Sequence, residues 1–411
     1  MSTRLTTMLA EQVQPVIAEV RELRRNIHQH PELGTDNPHT QQLILDALEG
    51  LGLDIQVGTS ITSVVADLVG GLPGPTVLLR ADTDALPMLE ESGEPFSSTI
   101  AGRAHACGHD AHVAMLVGAA RVLTAERDSL RGRVRFIFQP GEEGFGGAVN
   151  MIDEGALEGV DYAFAIHVSP NVPTGMVAGK GGPIMAATDT FEARILGKGA
   201  HASTPHFGND PIPVACEAVS ALQTMVTRRI DAFNPAVITV GRISGGTTNN
   251  VIPESVELEG TVRTVSEGAR LAATTGLERI IRGVCQAHDC SVELSMTPGY
   301  PVTVNDMRFA SLAAEVVTEV LGEGSYFELP TPIMGAEDFS YILQQVPGAM
   351  VFLGACPEGI QNSLEAPSCH SNLMRINEDA LENGVALHVA MARAVLQGRF
   401  IEGSEHLVET G

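Results

Sequence analysis

"TVLLRAD" (76–82) and "RVRFIFQP" (133–140) decide how this chain folds. Each is a short, mostly apolar run that ends in polar residues, the pattern of a strand buried inside a sheet. "YAFAIHV" (162–168) is a third. Between the first two, Val113, Leu116, Val117, Ala120 and Leu123 fall at helical spacing and predict a helix with one buried face at about 109–125. Strand, helix, strand, helix, strand predicts a parallel sheet with helices on its faces.

Outward from this core the pattern changes. From about Ala186 the chain reads as strand ("DTFEARILGKG"), helix (about 210–230), strand ("AVITVGRI"), strand ("SVELEGTVRT"), helix (about 266–287) and strand ("SVELSM"). That is an α+β unit the size of a small domain. It lies between two Gly/Pro-rich passages, "AGKGGPIM" and "TPGYPVTVND". The expected organisation is therefore an α/β domain over residues 1–185 and 302–411, with 186–301 inserted into it. A capped amphipathic helix is expected within residues 1–20, and a long amphipathic helix at about 377–397.

Composition narrows the function. The chain has 411 residues, 44% of them hydrophobic, and a formal net charge of −25. Such a surface repels phosphate backbones and anionic lipid, so neither nucleic acid nor a membrane is an expected partner. The six cysteines show no framework of close, regular spacings. With no apolar signal core and no run long enough to span a bilayer, the chain reads as a reduced, cytoplasmic protein.

In an open parallel sheet, ligands bind beyond the carboxyl ends of the strands. Asp82 and Asp84 follow the first strand, Glu142 and Glu143 the second, and His167 ends the third. "GRAHACGHDAHVAM" (102–115) precedes the predicted helix, and His370 in "SCHSN" (368–372) follows "AMVFLGAC" (349–356). Taken singly, each has a plain structural explanation: a hydrogen-bonded histidine, a solvated acidic turn, a buried small thiol. Together they gather one thiol, several imidazoles and several carboxylates at one sheet edge. That mixture suits zinc or a similar transition metal and not calcium or magnesium. In that setting one of the adjacent glutamates can bind metal while its neighbour acts as general base. Spacing leaves the choice within 105–112 open. His105, Cys107 and His109 alternate, so an extended loop could point all three one way, and His112 sits one helical turn after His109.

"RRNIHQHPELG" (24–34), "LLRADTDALPM" (78–88), "HACGHDAHVAM" (105–115), "QPGEEGFGGA" (139–148), "AIHV" (165–168), "GAHASTPH" (199–206), "NNVIPE" (249–254), "MGAEDFSY" (334–341) and "CHS" (369–371) occur in this order. In these motifs the chain resembles the dinuclear metallohydrolase family of aminoacylases and carboxypeptidases, in the branch of hippurate hydrolases and auxin-conjugate amidohydrolases. The resemblance runs from about residue 15 to 396. It implies a mostly parallel-sheet α/β catalytic domain, an inserted α+β lid of the dimerisation type, and two divalent ions per subunit, with Zn, Mn, Co and Ni all compatible.

Carried over by residue, it implies Cys107 as the ligand bridging two metals and His109, Glu143, His167 and His370 as the other ligands. Glu142 would be the general base, and His201 would stabilise the oxyanion, from the same chain or from a partner subunit. Asn250 and Arg263 would hold the substrate carboxylate. Asp82, Asp84 and Asp110 would orient the ligands, and His105 and His112 would pack behind them. The implied substrate is a small N-acyl or N-aroyl amino acid, with short peptides as the alternative; a homodimer or homotetramer is compatible. Thr83 and Asn372 stand where the branch often has Met and Pro, which touches only the pocket wall.

Rival classes fare worse. No G-x-G-x-x-G follows "TVLLRAD", as a dehydrogenase would require. No cationic phosphate site marks a phosphatase. The presence of Glu142 argues against a non-catalytic binding protein on the same fold. A thiol enzyme with Cys107 as nucleophile leaves the surrounding metal-type residues without a role.

Overall fold

The structure is a computed structural model that describes residues 7–400. These residues form two compact units. One contains residues 7–184, 304–330 and 341–400; the other contains 185–303 and 331–340.

The first unit is built on an eight-stranded sheet. Its centre is parallel, in the order Arg131–Gln139, Leu72–Asp82, Tyr162–Ser169, Gly348–Gly354. Antiparallel partners flank it: Val64–Val69 and Asp54–Val57 on one side, Val177–Gly179 on the other, with Tyr326–Glu328 parallel to the last at the edge. The expected strands all form. Apolar runs buried on both faces belong in the middle of such a sheet, and Phe136, Phe138, Phe164, Leu78 and Leu79 are fully buried there. The charged Arg80 in this interior is matched by Gln139 and Asp82, so its burial leaves no unpaired charge. Register brings the strand ends level: Asp82 pairs with Gln139 and His167 with Phe352.

Helix His109–Thr124 departs from the expectation of a single buried face. Nearly all its residues are buried, because it lies between helices Thr7–Gln29 and Asp379–Leu396 as well as against the sheet. Gly118 permits the close approach; a Cβ there would meet Val20 and Val385 at 2.7 Å. Helix Thr7–Gln29 is present, while its expected cap lies outside the described residues.

The second unit has four antiparallel strands in the order Ala236–Gly245, Ser255–Thr264, Ala187–Leu196, Ser291–Pro298. Helices Pro211–Arg229 and Glu267–Ala287 pack on one face. Phe191, Ala193 and Ile195 alternate inward, as a half-buried strand requires. The unit also takes up Thr331–Ser340, which the sequence left in the first domain. The backbone N–H of Ala186 donates to the carbonyls of Ile333 and Gly335, and Met185 bridges Ile333. No helix among the described residues is long and apolar enough to cross a membrane.

Candidate metal centre

The site lies in the first unit, at the carboxyl edge of the parallel strands. Asp84, just past the first strand, organises it. Its carboxylate accepts the backbone N–H groups of Glu142 (2.9 Å) and Glu143 (3.0 Å), which fixes the turn after the second strand. Its own carbonyl accepts Nδ1–H of His109 at 2.8 Å. That bond keeps a proton on Nδ1, so Nε2 is the nitrogen that gives up its proton when a cation binds. This Nε2 is buried without a hydrogen-bond partner, 4.0 Å from both Glu142 Oε2 and Glu143 Oε1.

His167 is set the same way. Its Nδ1 donates to the Val168 carbonyl at 2.7 Å, and its Nε2 lies 3.4 Å from Cys107 Sγ. Between Cys107 and His109, Gly108 has φ +88°, and a Cβ on it would meet Val168 Cγ2 at 2.3 Å. Glycine is therefore required for the turn to rest against the strand that carries His167. His370, at φ +69°, is held by its N–H bonding the Ala106 carbonyl at 2.7 Å, and its Nε2 sits 3.2 Å from Glu143 Oε1.

Cys107, His109, Glu143, His167 and His370 thus converge, with Glu142 beside them, in overlapping groups spaced for metal binding. Electrostatics make the cluster a site for positive charge. Burial opposes a charged His109, yet Asp82, Asp84 and Glu143 outweigh it and raise the imidazole to about 10. The Cys107 thiol is pushed well above its ordinary range by its hydrogen bond with Cys369, by burial and by the nearby Glu143 and Glu142 carboxylates. Burial would raise Glu143 too, but His370 and His109 hold it below the usual carboxylate range. A divalent cation would supply the charge that a proton on His109 now supplies, occupy the orphaned Nε2 and favour the Cys107 thiolate. The donor set fits such an ion.

Hydrogen bonding separates the residues that spacing left open. His112 has both nitrogens engaged: Nδ1 bonds Asp82 at 2.6 Å, and Nε2 accepts the Val168 N–H at 2.9 Å. His105 is buried, kept neutral by burial that pushes it down to about 3. The three aspartates orient less directly than expected. Asp84 holds His109 through its backbone carbonyl, and its carboxylate holds the glutamate turn instead. Asp82 receives Arg80 and His112, with His109 Nε2 3.6 Å away. Asp110 reaches no histidine of the cluster; its Oδ2 accepts Arg24 Nε and His28 Nδ1, each at 2.9 Å, because its side chain faces the N-terminal helix. His28 also bonds Glu90 at 3.0 Å. Sequence reasoning left His28 a structural residue and assigned no role to Arg24 or Glu90; "RRNIHQHPELG" (24–34) contains the first two, and Glu90 lies outside every motif quoted above.

The remaining three predicted residues lie in the second unit. His201 is exposed, its Nδ1 bonded to the Ser203 hydroxyl at 2.7 Å. The ribbon of Ala200–His201 with Val251–Ile252, extended by Ala202 N–H to the Asn250 carbonyl, sets His201 and Asn250 side by side. A cavity of about 700 Å³ opens here, lined by His201, Gly246, Val251, Glu254 and Ser255. Arg263 is not brought to it. It pairs with Thr188 near the opposite end of the strand that starts at Ser255, roughly 26 Å away at strand rise.

The sequence profile of peptidase family M20/M25/M40 matches residues 78–394. Thermostable carboxypeptidase 2 of Saccharolobus solfataricus is 39% identical over 392 residues, covering 94% of this chain and 98% of its own. IAA-amino acid hydrolase ILR1-like 2 of Arabidopsis thaliana is 40% identical over 386 residues, covering 93% and 86%. Among solved structures, the Bacillus subtilis YXEP protein, described as a dinuclear metal binding peptidase, superposes with a TM-score of 0.80 at 33% identity, covering 93% of this chain and 99% of that one.

Proposed function

The chain belongs to peptidase family M20/M25/M40, and from that premise we propose that it hydrolyses the amide bond of N-acyl or N-aroyl amino acids of the hippurate type. Cys107, His109, Glu143, His167 and His370 would hold two divalent ions. The observation that carries this is the buried Nε2 of His109, without a hydrogen-bond partner and set among the Asp82, Glu142 and Glu143 carboxylates beside a crowded thiol. Divalent ions bound there supply Lewis acidity, which polarises a carbonyl and lowers the pKa of water.

The chain's own residues do the rest. Glu142 takes the proton of the attacking water on its carboxylate and delivers it to the leaving amine nitrogen. It can do so because the Asp84 carboxylate pins its backbone and that of Glu143, so the two side chains divide base and ligand roles. His201 would donate a hydrogen bond to the oxyanion, and Asn250 and Arg263 would hold the α-carboxylate. Since His201 and Arg263 sit at opposite ends of one unit, a small substrate meets both only if they come from different subunits. That favours a homodimer or larger homo-oligomer.

The relatives named for carboxypeptidase activity support a second reading, cleavage of short peptides at a free carboxyl end. Both readings share the mechanism and differ only in the acyl half. Amino-acid release from hippurate, N-acetyl amino acids and dipeptides tests them. It should be run on chelated enzyme, on enzyme refilled with Zn, Mn, Co or Ni, and on Glu142→Ala. Metal-restored activity that the variant lacks is expected, strongest on an N-acyl substrate. Activity indifferent to metal or to Glu142 would overturn the mechanism.

A further inference from the structure

We propose that Cys107 and Cys369 are a peroxide-oxidisable pair, closing to a reversible disulfide whenever no cation holds Cys107. Its effect on activity rests on the reading of Cys107 as a ligand; the bond itself does not.

All six cysteines are unpaired in the structure. Cys369 and Cys107 lie far apart in sequence, yet the structure sets the Cys369 thiol against the backbone of Cys107. The contact is built in by the backbone. His370 N–H bonds the Ala106 carbonyl at 2.7 Å, and Cys369 Sγ lies 3.8 Å from the Cys107 carbonyl and 3.9 Å from that of Val168. The loop bearing Cys369 is thereby clamped against the loop bearing Cys107. Forming the bond brings the two neighbouring sulfurs to about 2.05 Å. Cys107 is nearly inaccessible, while Cys369 is partly exposed, so oxidant reaches Cys369 first.

The chemistry closes with hydrogen peroxide as the co-reactant. The Cys369 sulfur attacks one peroxide oxygen, the O–O bond breaks, and a sulfenic acid and water result. The Cys107 sulfur then displaces the sulfenic oxygen, forming the S–S bond, and its proton leaves with that oxygen as a second water. Two thiols lose two hydrogens and two electrons, and peroxide becomes two waters. A cation on Cys107 removes the second nucleophile from the exchange, so the loaded site resists. Without Cys369, a thiol at the metal site has no nearby resolving partner and proceeds to sulfinic acid, which thiol reductants do not restore. The other neighbouring pair is built differently. Cys285 and Cys290 are joined by a backbone turn in the second unit, and burial pushes the Cys285 thiol up to about 11, which disfavours the reactive thiolate.

The test is non-reducing peptide mapping of the full-length protein, chelated or zinc-loaded, after limited hydrogen peroxide. The chelated protein should yield one linked pair of peptides containing Cys107 and Cys369, two hydrogens lighter than the separate thiols and released by dithiothreitol. Zinc should slow its appearance by about ten-fold or more. Cys369→Ser, checked for folding by circular dichroism, should form no link and lose the Cys107 thiol irreversibly. Recovery of both cysteines as separate thiols or separate sulfinic acids from chelated wild-type protein would overturn the pair, even if zinc-dependent turnover is intact. Linkage at the same rate with and without zinc would instead overturn cation gating and the ligand reading of Cys107.

Discussion

Asp84→Asn should loosen the turn that carries Glu142 and Glu143 without altering any of the proposed metal ligands. The Asp84 carboxylate is buried and accepts two backbone N–H groups, from Glu142 and Glu143, one on each oxygen. Asparagine keeps one acceptor and sets an NH₂ group against the other N–H. A hydrogen bond to a charged group contributes about 1.5–3 kcal/mol, and the buried N–H left facing a donor adds to the cost, so the loss is about 2–3 kcal/mol. In chelated protein this lowers Tm by about 4–6 °C, read by differential scanning calorimetry. In the loaded enzyme, kcat/KM on an N-acyl amino acid should fall by about 10- to 100-fold, as for partners that orient ligands. Metal content measured by plasma mass spectrometry separates lost occupancy from misplaced Glu142. If chelated Tm moves by less than about 1 °C and turnover stays within about two-fold, the turn is not held by Asp84 and the reasoning fails.

Glu142→Gln should retain metal and lose about 10²- to 10⁴-fold in kcat, since the proton carrier is gone and the ligands are not; equal loss of metal would reassign Glu142 as a ligand. His28 provides the pH prediction. Burial opposes its charge, but Asp110 and Glu90 prevail and raise it to about 9, so its stabilising contribution is complete below the unfolded value near 6.5 and is lost as pH rises through about 9. Wild-type Tm should therefore fall more steeply between about pH 7 and 10 than that of His28→Gln, and parallel curves would refute it. Gly108→Ala must adopt φ +88° and push its Cβ into Val168, at a cost of about 2–4 kcal/mol, so both Tm and metal content should drop.

What the sequence made legible follows from the range of the interactions. Strand ends were readable because apolar runs that stop at Asp82, Gln139 and His167 carry both the sheet and its ligand-bearing edge within a few residues. The choice between His109 and His112 was not. Both sit on one helix, and what separates them is distant: His112 is consumed by Asp82 and by the Val168 N–H, whereas His109 is turned by the Asp84 carbonyl so that Nε2 has only carboxylates and the thiol ahead of it. The same logic explains the helix at 109–124. Its periodicity describes the face toward the sheet, but two further layers come from opposite ends of the chain, and small residues such as Gly118 that admit them carry no hydrophobic signal. Asp110 shows the limit in reverse. A carboxylate next to a predicted ligand invites assignment to that ligand, yet a helix side chain one position on points some 100° away, and this one meets Arg24 and His28. Adjacency along the chain therefore identifies the loops that build such a centre, while the division of labour within them is set by partners tens to hundreds of residues away.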